Sequence, residues 1–241
     1  MRVLVISDIH ANKQALDAVL AAAGEVDAVW CLGDLVGYGP NPNECIETVR
    51  SLPNLVCLLG NHDAAVLNRL DLTAFNREAI TSVSWTRQAL SVENLNFLSG
   101  LPERVVVENT TLSHGSPRNP IWEYLLDLNT VLTNFSHFDT QVCFVGHTHI
   151  PISYTYNGNG HVEWLVPRSG EPLTIQAQTI LNPGSVGQPR DRDPRAAYAI
   201  YFPEVSVWES YRVAYDIQTV QEGIVVAGLP RRHASRLEEG W

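Results

Sequence analysis

Cysteine is scarce in this sequence. Cys31, Cys45, Cys57 and Cys143 stand far apart, and no C-x-x-C pair occurs. That excludes a disulfide-stapled scaffold and predicts reduced thiols in a cytoplasmic protein. Basic residues are few as well: 16 Lys plus Arg face 26 Asp plus Glu, a formal net charge of -10. A general binder of nucleic-acid backbones needs a dense basic surface, so no stable nucleic-acid complex is expected. A phosphorylated substrate is not excluded, because a metal site supplies local positive charge that residue counts miss. No apolar run is long enough to cross a bilayer, and residues 1–9, interrupted by Ser7 and Asp8, do not read as a signal peptide. No membrane partner is therefore expected. Internal repeats and low-complexity tracts are absent. Charged residues make up only 17% of the chain against 45% hydrophobic, which allows a real core and argues against disorder. A length of 241 residues suits a single domain over 1–241.

What is present begins with a short apolar run. Residues 3–6 read as a strand of the kind buried in a parallel sheet. Asn12 is placed to cap a helix whose apolar face carries Leu16, Val19 and Leu20, and Gly24 ends it. A strand over 28–32 runs into Gly33-Asp34. A loop rich in Gly, Pro and Asn precedes a helix to about Arg50. A third strand over 55–59 ends at Gly60-Asn61-His62-Asp63. Polar residues thus gather after each strand, where parallel α/β sheets place their ligand sites. A helical insertion is predicted at about 64–100. A hairpin over 105–113 then ends at His114-Gly115, and a strand over 142–145 ends at Gly146-His147-Thr148-His149. The last third is β-rich, with a final helix over 216–227. Two sheets packed face to face with helices outside suit this order better than an open Rossmann-type sheet.

Asp8 and His10 are two apart at a strand end, where period-two geometry turns both side chains to one side. His147 and His149 repeat that spacing. With Asp34, Asn61 and His114 they make seven candidate metal ligands, each following a short apolar strand. Oxygen and imidazole donors without thiolate suit divalent Mn, Fe, Co, Ni or Zn. Seven are too many for one tetrahedral ion and about right for two ions sharing a bridging carboxylate. His137 and His161 lie in loop-like segments without a partner motif and read as surface residues.

The segments SDIH (7–10), GDLVGYG (33–39), GNHD (60–63), HG (114–115), GHTH (146–149) and NPGSVGQPRD (182–191) resemble the calcineurin-like metallophosphoesterase superfamily. The likeness is strongest to its small YfcE-like branch of bacterial and archaeal phosphodiesterases. It implies an α/β fold, a four-layer αββα sandwich of two mixed β-sheets flanked by helices, around a dinuclear metal centre. By that resemblance Asp8, His10, Asp34 and His149 hold the first ion. Asp34, Asn61, His114 and His147 hold the second, and Asp34 bridges. His62 faces the substrate and protonates or stabilises the leaving group. The implied reaction is hydrolysis of a phosphoester, above all a phosphodiester, by in-line attack of a hydroxide bridging two divalent metal ions. The implied partner is a small phosphorylated molecule or nucleotide. One departure matters. Protein Ser/Thr phosphatases and symmetrical diadenosine tetraphosphate hydrolases resemble GDxVDRG at the second motif, whereas Gly37-Tyr38 stand here in place of Asp-Arg. A phosphate-clamping arginine is missing there, so those two activities are not expected. Arg118 and Arg190 are the candidate substrate-binding replacements, with Arg192 beside them.

Asp63 has two readings. It orients His62 as a catalytic partner by accepting a hydrogen bond from the second ring nitrogen, or it caps the following helix. Gly184-Ser185-Val186-Gly187 lacks the Lys of a P-loop and reads either as a loop shaping the site or as a plain turn. The Arg190-Asp191-Arg192-Asp193 run reads as a solvated, mutually neutralising loop. Trp122, close in sequence to His114, is a candidate substrate wall. Three functions compete besides a dinuclear phosphodiesterase: a phosphomonoesterase or nucleotide phosphatase on the same centre, a mononuclear hydrolase of another ester, and a catalytically weak metal-binding regulatory protein.

Overall fold

Alternation along the first strand sets the layers. In β1 (Val3–Ile6), Leu4 and Ile6 point into one apolar core while Val3 and Val5 point into another. A computed structural model describes all residues, 1–241. The first core lies between the sheet and α1 (Lys13–Ala23) and α2 (Pro42–Arg50), through Leu16, Val19, Ile46 and Val49. Asn12 Oδ1 accepts from Ala15 N at 3.0 Å and starts α1, and Gly24 ends it. The second core lies between two sheets.

The first sheet combines β1 with β2 (Ala28–Cys31), β3 (Val56–Cys57) and three strands from late in the chain. Helices α3 (Asn61–Val66), α4 (Arg77–Ala89) and α5 (Val92–Ser99) follow β3. Then come β4 (Arg104–Val107), β5 (Thr110–Ser113), α6 (Leu128–Asn134) and β6 (Val142–Phe144). The chain continues through β7 (Ile152–Tyr156), β8 (Val162–Leu165), β9 (Pro172–Thr174), β10 (Thr179–Asn182), β11 (Ala196–Phe202) and β12 (Val207–Val213). Helices α7 (Ile217–Val226) and α8 (Arg231–Glu239) close it. The strand orders are β3-β2-β1-β11-β12-β9 and β4-β5-β6-β10-β7-β8. Both sheets are mixed: β1, β2 and β3 run parallel, as do β5, β6 and β10, while the other pairings are antiparallel. Between the sheets sit Trp30, Phe144, Tyr201 and the fully buried Trp208. Each such side chain stabilises the stack by roughly 1.5–3 kcal/mol. On the far face of the second sheet Cys143, Val145 and Ile180 pack against Val131 and Phe135. The result is the expected four-layer αββα sandwich.

All four cysteines are buried and unpaired. His137 and His161 are exposed. No helix is long and apolar enough to cross a membrane. The third strand is shorter than the apolar run 55–59, because Leu59 N leaves the ladder to bond Pro102 O at 2.9 Å. The helix after it begins at Asn61, so Asn61 and His62 stand on a first helical turn rather than at a strand end. Two elements escape the sequence pattern. Strand β9 opens on Pro172 and pairs on one side only, with β12, as an edge strand with proline must. Helix α8 is so charged that Ala234 and Leu237 are its few apolar anchors, and the helix at 217–226 is therefore not the last.

Candidate metal centre

The two parallel strand sets end on one rim. β1 delivers Asp8 and His10, β2 Asp34, β5 His114 and β6 His147 and His149, while the start of α3 supplies Asn61. All seven are buried. Five have left-handed backbone: Asp8 (φ 55), His10 (φ 49), Asp34 (φ 54), His147 (φ 65) and His149 (φ 63). Such conformations cost of order 1–3 kcal/mol each outside glycine, and a fold retains them where side chains must be aimed.

Each imidazole has one ring nitrogen tied to a main-chain carbonyl. His10 Nδ1 donates to Val36 O at 3.1 Å, His114 Nδ1 to Leu32 O at 3.0 Å, and His149 Nδ1 to Gln188 O at 2.5 Å. His147 uses Nε2, to Trp122 O at 3.1 Å. A carbonyl only accepts, so these nitrogens carry hydrogen and the other four present lone pairs inward. His10 Nε2 and His149 Nε2 face each other at 3.1 Å. Two lone pairs at that distance repel unless a proton or a metal cation lies between them. Burial pushes His10, His147 and His149 downward. At His114 burial also pulls downward, but the Asp34 carboxylate outweighs it and raises the group to about 9. A metal ion held at its Nε2 would displace that proton.

The carboxylates repeat the design. Asp8 Oδ2 accepts from His147 N at 3.1 Å, and Asp34 Oδ1 from His62 N at 2.8 Å. Asp8 Oδ1 and Asp34 Oδ2 are buried without a hydrogen-bond partner. Asp8 Oδ1 lies 3.1 Å from His149 Nε2; Asp34 Oδ2 lies 3.4 Å from His114 Nε2 and 3.7 Å from His10 Nε2. Burial opposes their ionisation, and the surrounding imidazoles, His149 beside Asp8 and His114 beside Asp34, more than offset it and hold both carboxyls below their usual range. Asn61 Oδ1 lies 2.9 Å from His114 Nε2. The donor atoms cluster as Asp8, His10 and His149 on one side and Asp34, His114 and His147 on the other, and a third overlapping group joins His10 and Asp34 to His62. Orphaned oxygens and inward lone pairs are the chemistry of a divalent-cation site, and Asp34 stands between the two groups.

His62 is buried and its Nδ1 has no partner. Burial and the charge of Arg190 push it down to about 4, against the pull of Asp34. Asp63 does not touch it. The Asp63 carboxylate accepts from Gly60 N at 3.0 Å, Val36 N at 3.2 Å and Leu35 N at 3.3 Å. Its geometry is that of a helix cap that pins the Asp34 loop, and the orienting partnership with His62 is corrected. Arg118 is occupied by a bidentate pair with Glu123, which leaves it little to offer a substrate. Arg190 has no carboxylate partner; one nitrogen bonds Gln188 Oε1 at 2.9 Å and its buried Nε is unpaired. The 190–193 run does not neutralise itself, because Asp191 pairs with Arg212 and Asp193 with Arg195. Residues 182–188 shape the site without cradling a ligand: Val186 N and Gly187 N are spent on Ser7 O and Asp8 O, and Gln188 O holds His149. Trp122 lies at the rim, its ring centroid 5.9 Å from that of His147 and 4.9 Å from that of Phe75.

Two neighbours of the centre have weak sequence signals. Tyr38 packs its ring 4.7 Å from His10 and 4.4 Å from His62. Gly37 beside it has φ 96, and a Cβ there would come within 2.6 Å of His62 Nδ1. The Gly-Tyr pair thus makes room for His62 and then walls it. His233 on α8 packs 4.9 Å from Tyr38, brought there by a helix whose buried face holds only Ala234 and Leu237 besides His233 itself.

The family model described as the calcineurin-like phosphoesterase superfamily domain matches residues 1–203. The fold superposes on the crystal structure of a metallophosphoesterase from Sphaerobacter thermophilus with a TM-score of 0.91 and 46% identity, covering 100% of this chain and 99% of that one. An uncharacterized protein of Methanocaldococcus jannaschii, MJ0912, is 40% identical over 98% of this chain and 96% of its own. A symmetrical bis(5'-nucleosyl)-tetraphosphatase of Erwinia tasmaniensis is 41% identical over 71 residues, 28% of this chain and 26% of that protein. With two mixed sheets, buried Asp and His clusters on their shared rim and this match over most of its length, the chain belongs to the calcineurin-like phosphoesterase superfamily and is a phosphoric ester hydrolase.

Proposed function

We propose that the protein is a phosphodiesterase that works with two divalent cations. Asp8, His10, Asp34 and His149 would hold one, and Asp34, Asn61, His114 and His147 the other. The convergence of His10 Nε2 and His149 Nε2, 3.1 Å apart, on the otherwise unpartnered Asp8 Oδ1 carries this reading, since one divalent cation would satisfy all three donors. Such a pair of cations, when bound, neutralises phosphate charge and lowers the pKa of a shared water to supply a nucleophile. The chain's own groups do the rest. Carbonyls of Val36, Leu32, Gln188 and Trp122 fix the four imidazoles. His62 stands beside the cluster, within reach of His10 and Asp34, and is the side chain that would stabilise or protonate the leaving oxygen. Arg190 lies close enough to lower His62 and His149, and supplies positive charge for a phosphoryl oxygen.

The diester preference rests on charge. A diester carries one negative charge and a monoester about two. With Arg118 bound to Glu123, Arg190 is the guanidinium available at the rim. Monoester or nucleotide phosphatase activity is the second reading, and inverts that charge argument. The tetraphosphatase likeness covers 28% of this chain and 26% of that protein, too little to carry over its substrate. The metal-loaded protein is expected to bind inorganic phosphate or vanadate and to be inhibited by it, despite a net charge of -10. Anion binding is measured on metal-loaded and chelator-stripped samples; equal binding in both contradicts the proposal.

A further inference from the structure

Helix α8 lies beyond the stretch that the family model matches, and it closes on the metal rim. Its buried His233 packs against Tyr38, and His233 Nε2 lies 2.7 Å from Ser82 Oγ on α4. On the neighbouring face of the same helix, Arg232 and Arg236 line a cavity of about 410 Å3 with Asn76, Arg77, Glu78 and Trp241. Three arginines line it with one acidic side chain, and Arg236 Nε donates to Trp241 O, which leaves its two terminal nitrogens for a ligand. Glu78 lies 3.9 Å from Arg232 Nε, and Arg77 has no carboxylate partner. The cavity is tied to the loop that carries Arg190. Arg192 N bonds Gly240 O at 2.8 Å, and the Arg192 guanidinium lies 5.8 Å over the Trp241 ring. Burial and the like charge of Arg190 both act against the charge of Arg236. Guanidiniums held together in this way are stabilised by an anion, and their forked N–H groups match phosphate oxygens.

We propose that this cavity is a second anion-binding subsite, and that the substrate is a phosphodiester carrying a further phosphate, held by Arg77, Arg232 and Arg236 while the scissile phosphorus lies at the metal rim. The proposal rests on the phosphoesterase reading above. It accounts for a second group of arginines a helix face away from the reaction centre.

Two substrates with the same leaving group test it: thymidine 5'-(p-nitrophenyl phosphate) with and without a 3'-phosphate. The metal-loaded protein is expected to show a KM about tenfold lower for the 3'-phosphorylated ester, the scale of one charge-assisted contact. The Arg77→Ala, Arg232→Ala double variant, altered at two exposed side chains, is expected to lose that difference. Calorimetry gives a readout without turnover. Chelator-treated wild type should bind thymidine 3',5'-bisphosphate about tenfold tighter than thymidine 5'-phosphate, and the double variant should not distinguish them. Equal KM values in the wild type, or a preference that survives in the double variant, overturn the subsite and leave the phosphoesterase reading standing. Failure to hydrolyse either ester overturns that reading, and the calorimetric comparison then decides the subsite by itself.

Discussion

Asp34→Asn is expected to lower metal content and to reduce phosphodiester turnover by at least about a hundredfold, with the fold retained. Even an outer hydrogen-bond partner of a metal ligand acts on that scale. The side chain is isosteric, and its remaining oxygen still accepts from His62 N, now 2.8 Å from Asp34 Oδ1. What changes is the other atom. An amide N–H would replace the orphaned Oδ2 that faces His114 and His10 at 3.4 and 3.7 Å. A donor that serves both clusters becomes a group that repels a cation. Metal analysis, turnover and circular dichroism on the same preparation check this, and full metal content with near-wild-type turnover contradicts it.

His62→Ala is expected to keep both cations and to lose much of the chemical rate. The loss should be about 10²–10⁴-fold for a diester with an alkyl leaving group, the usual range for a positioned proton donor. It should be markedly smaller for a p-nitrophenyl leaving group, whose oxygen needs less help. The structure makes the metal measurement essential, because His62 comes within reach of His10 and Asp34 as one possible ligand group. Loss of an ion on substitution makes His62 a ligand. Equal slowing of both substrates with metals retained points to positioning or electrostatic stabilisation.

Much of this arrangement is legible from residue order alone. Short apolar runs ending in Asp8, Asp34, His114 and His147 read as buried strands, and a parallel sheet sends their ends to one rim. Alternation in 3–6 is enough to separate two cores, since Leu4 and Ile6 face the helices and Val3 and Val5 face the second sheet. What is not legible depends on partners distant in the chain. Asp63 looks like a companion for the adjacent His62, yet its oxygens are taken by main-chain N–H groups of Leu35 and Val36, brought alongside by the β2–α3 approach. Arg118 and Arg190 are alike in sequence, and a single carboxylate, Glu123, makes them different. Helix α8 has helical spacing at 233, 234 and 237, but with one histidine, one alanine and one leucine on that face it is easily passed over as a charged tail. Its place is set by Leu237 and Ala234 packing on α7 and by His233 reaching Tyr38.

The most direct test of the two-cation account is a metal titration of the stripped protein, with bound metal counted per chain and turnover of a phosphodiester followed on the same samples. The account predicts two divalent ions per chain, turnover that rises as the second is taken up, and none in chelator. Full turnover with one ion per chain, or turnover that persists in chelator, contradicts it.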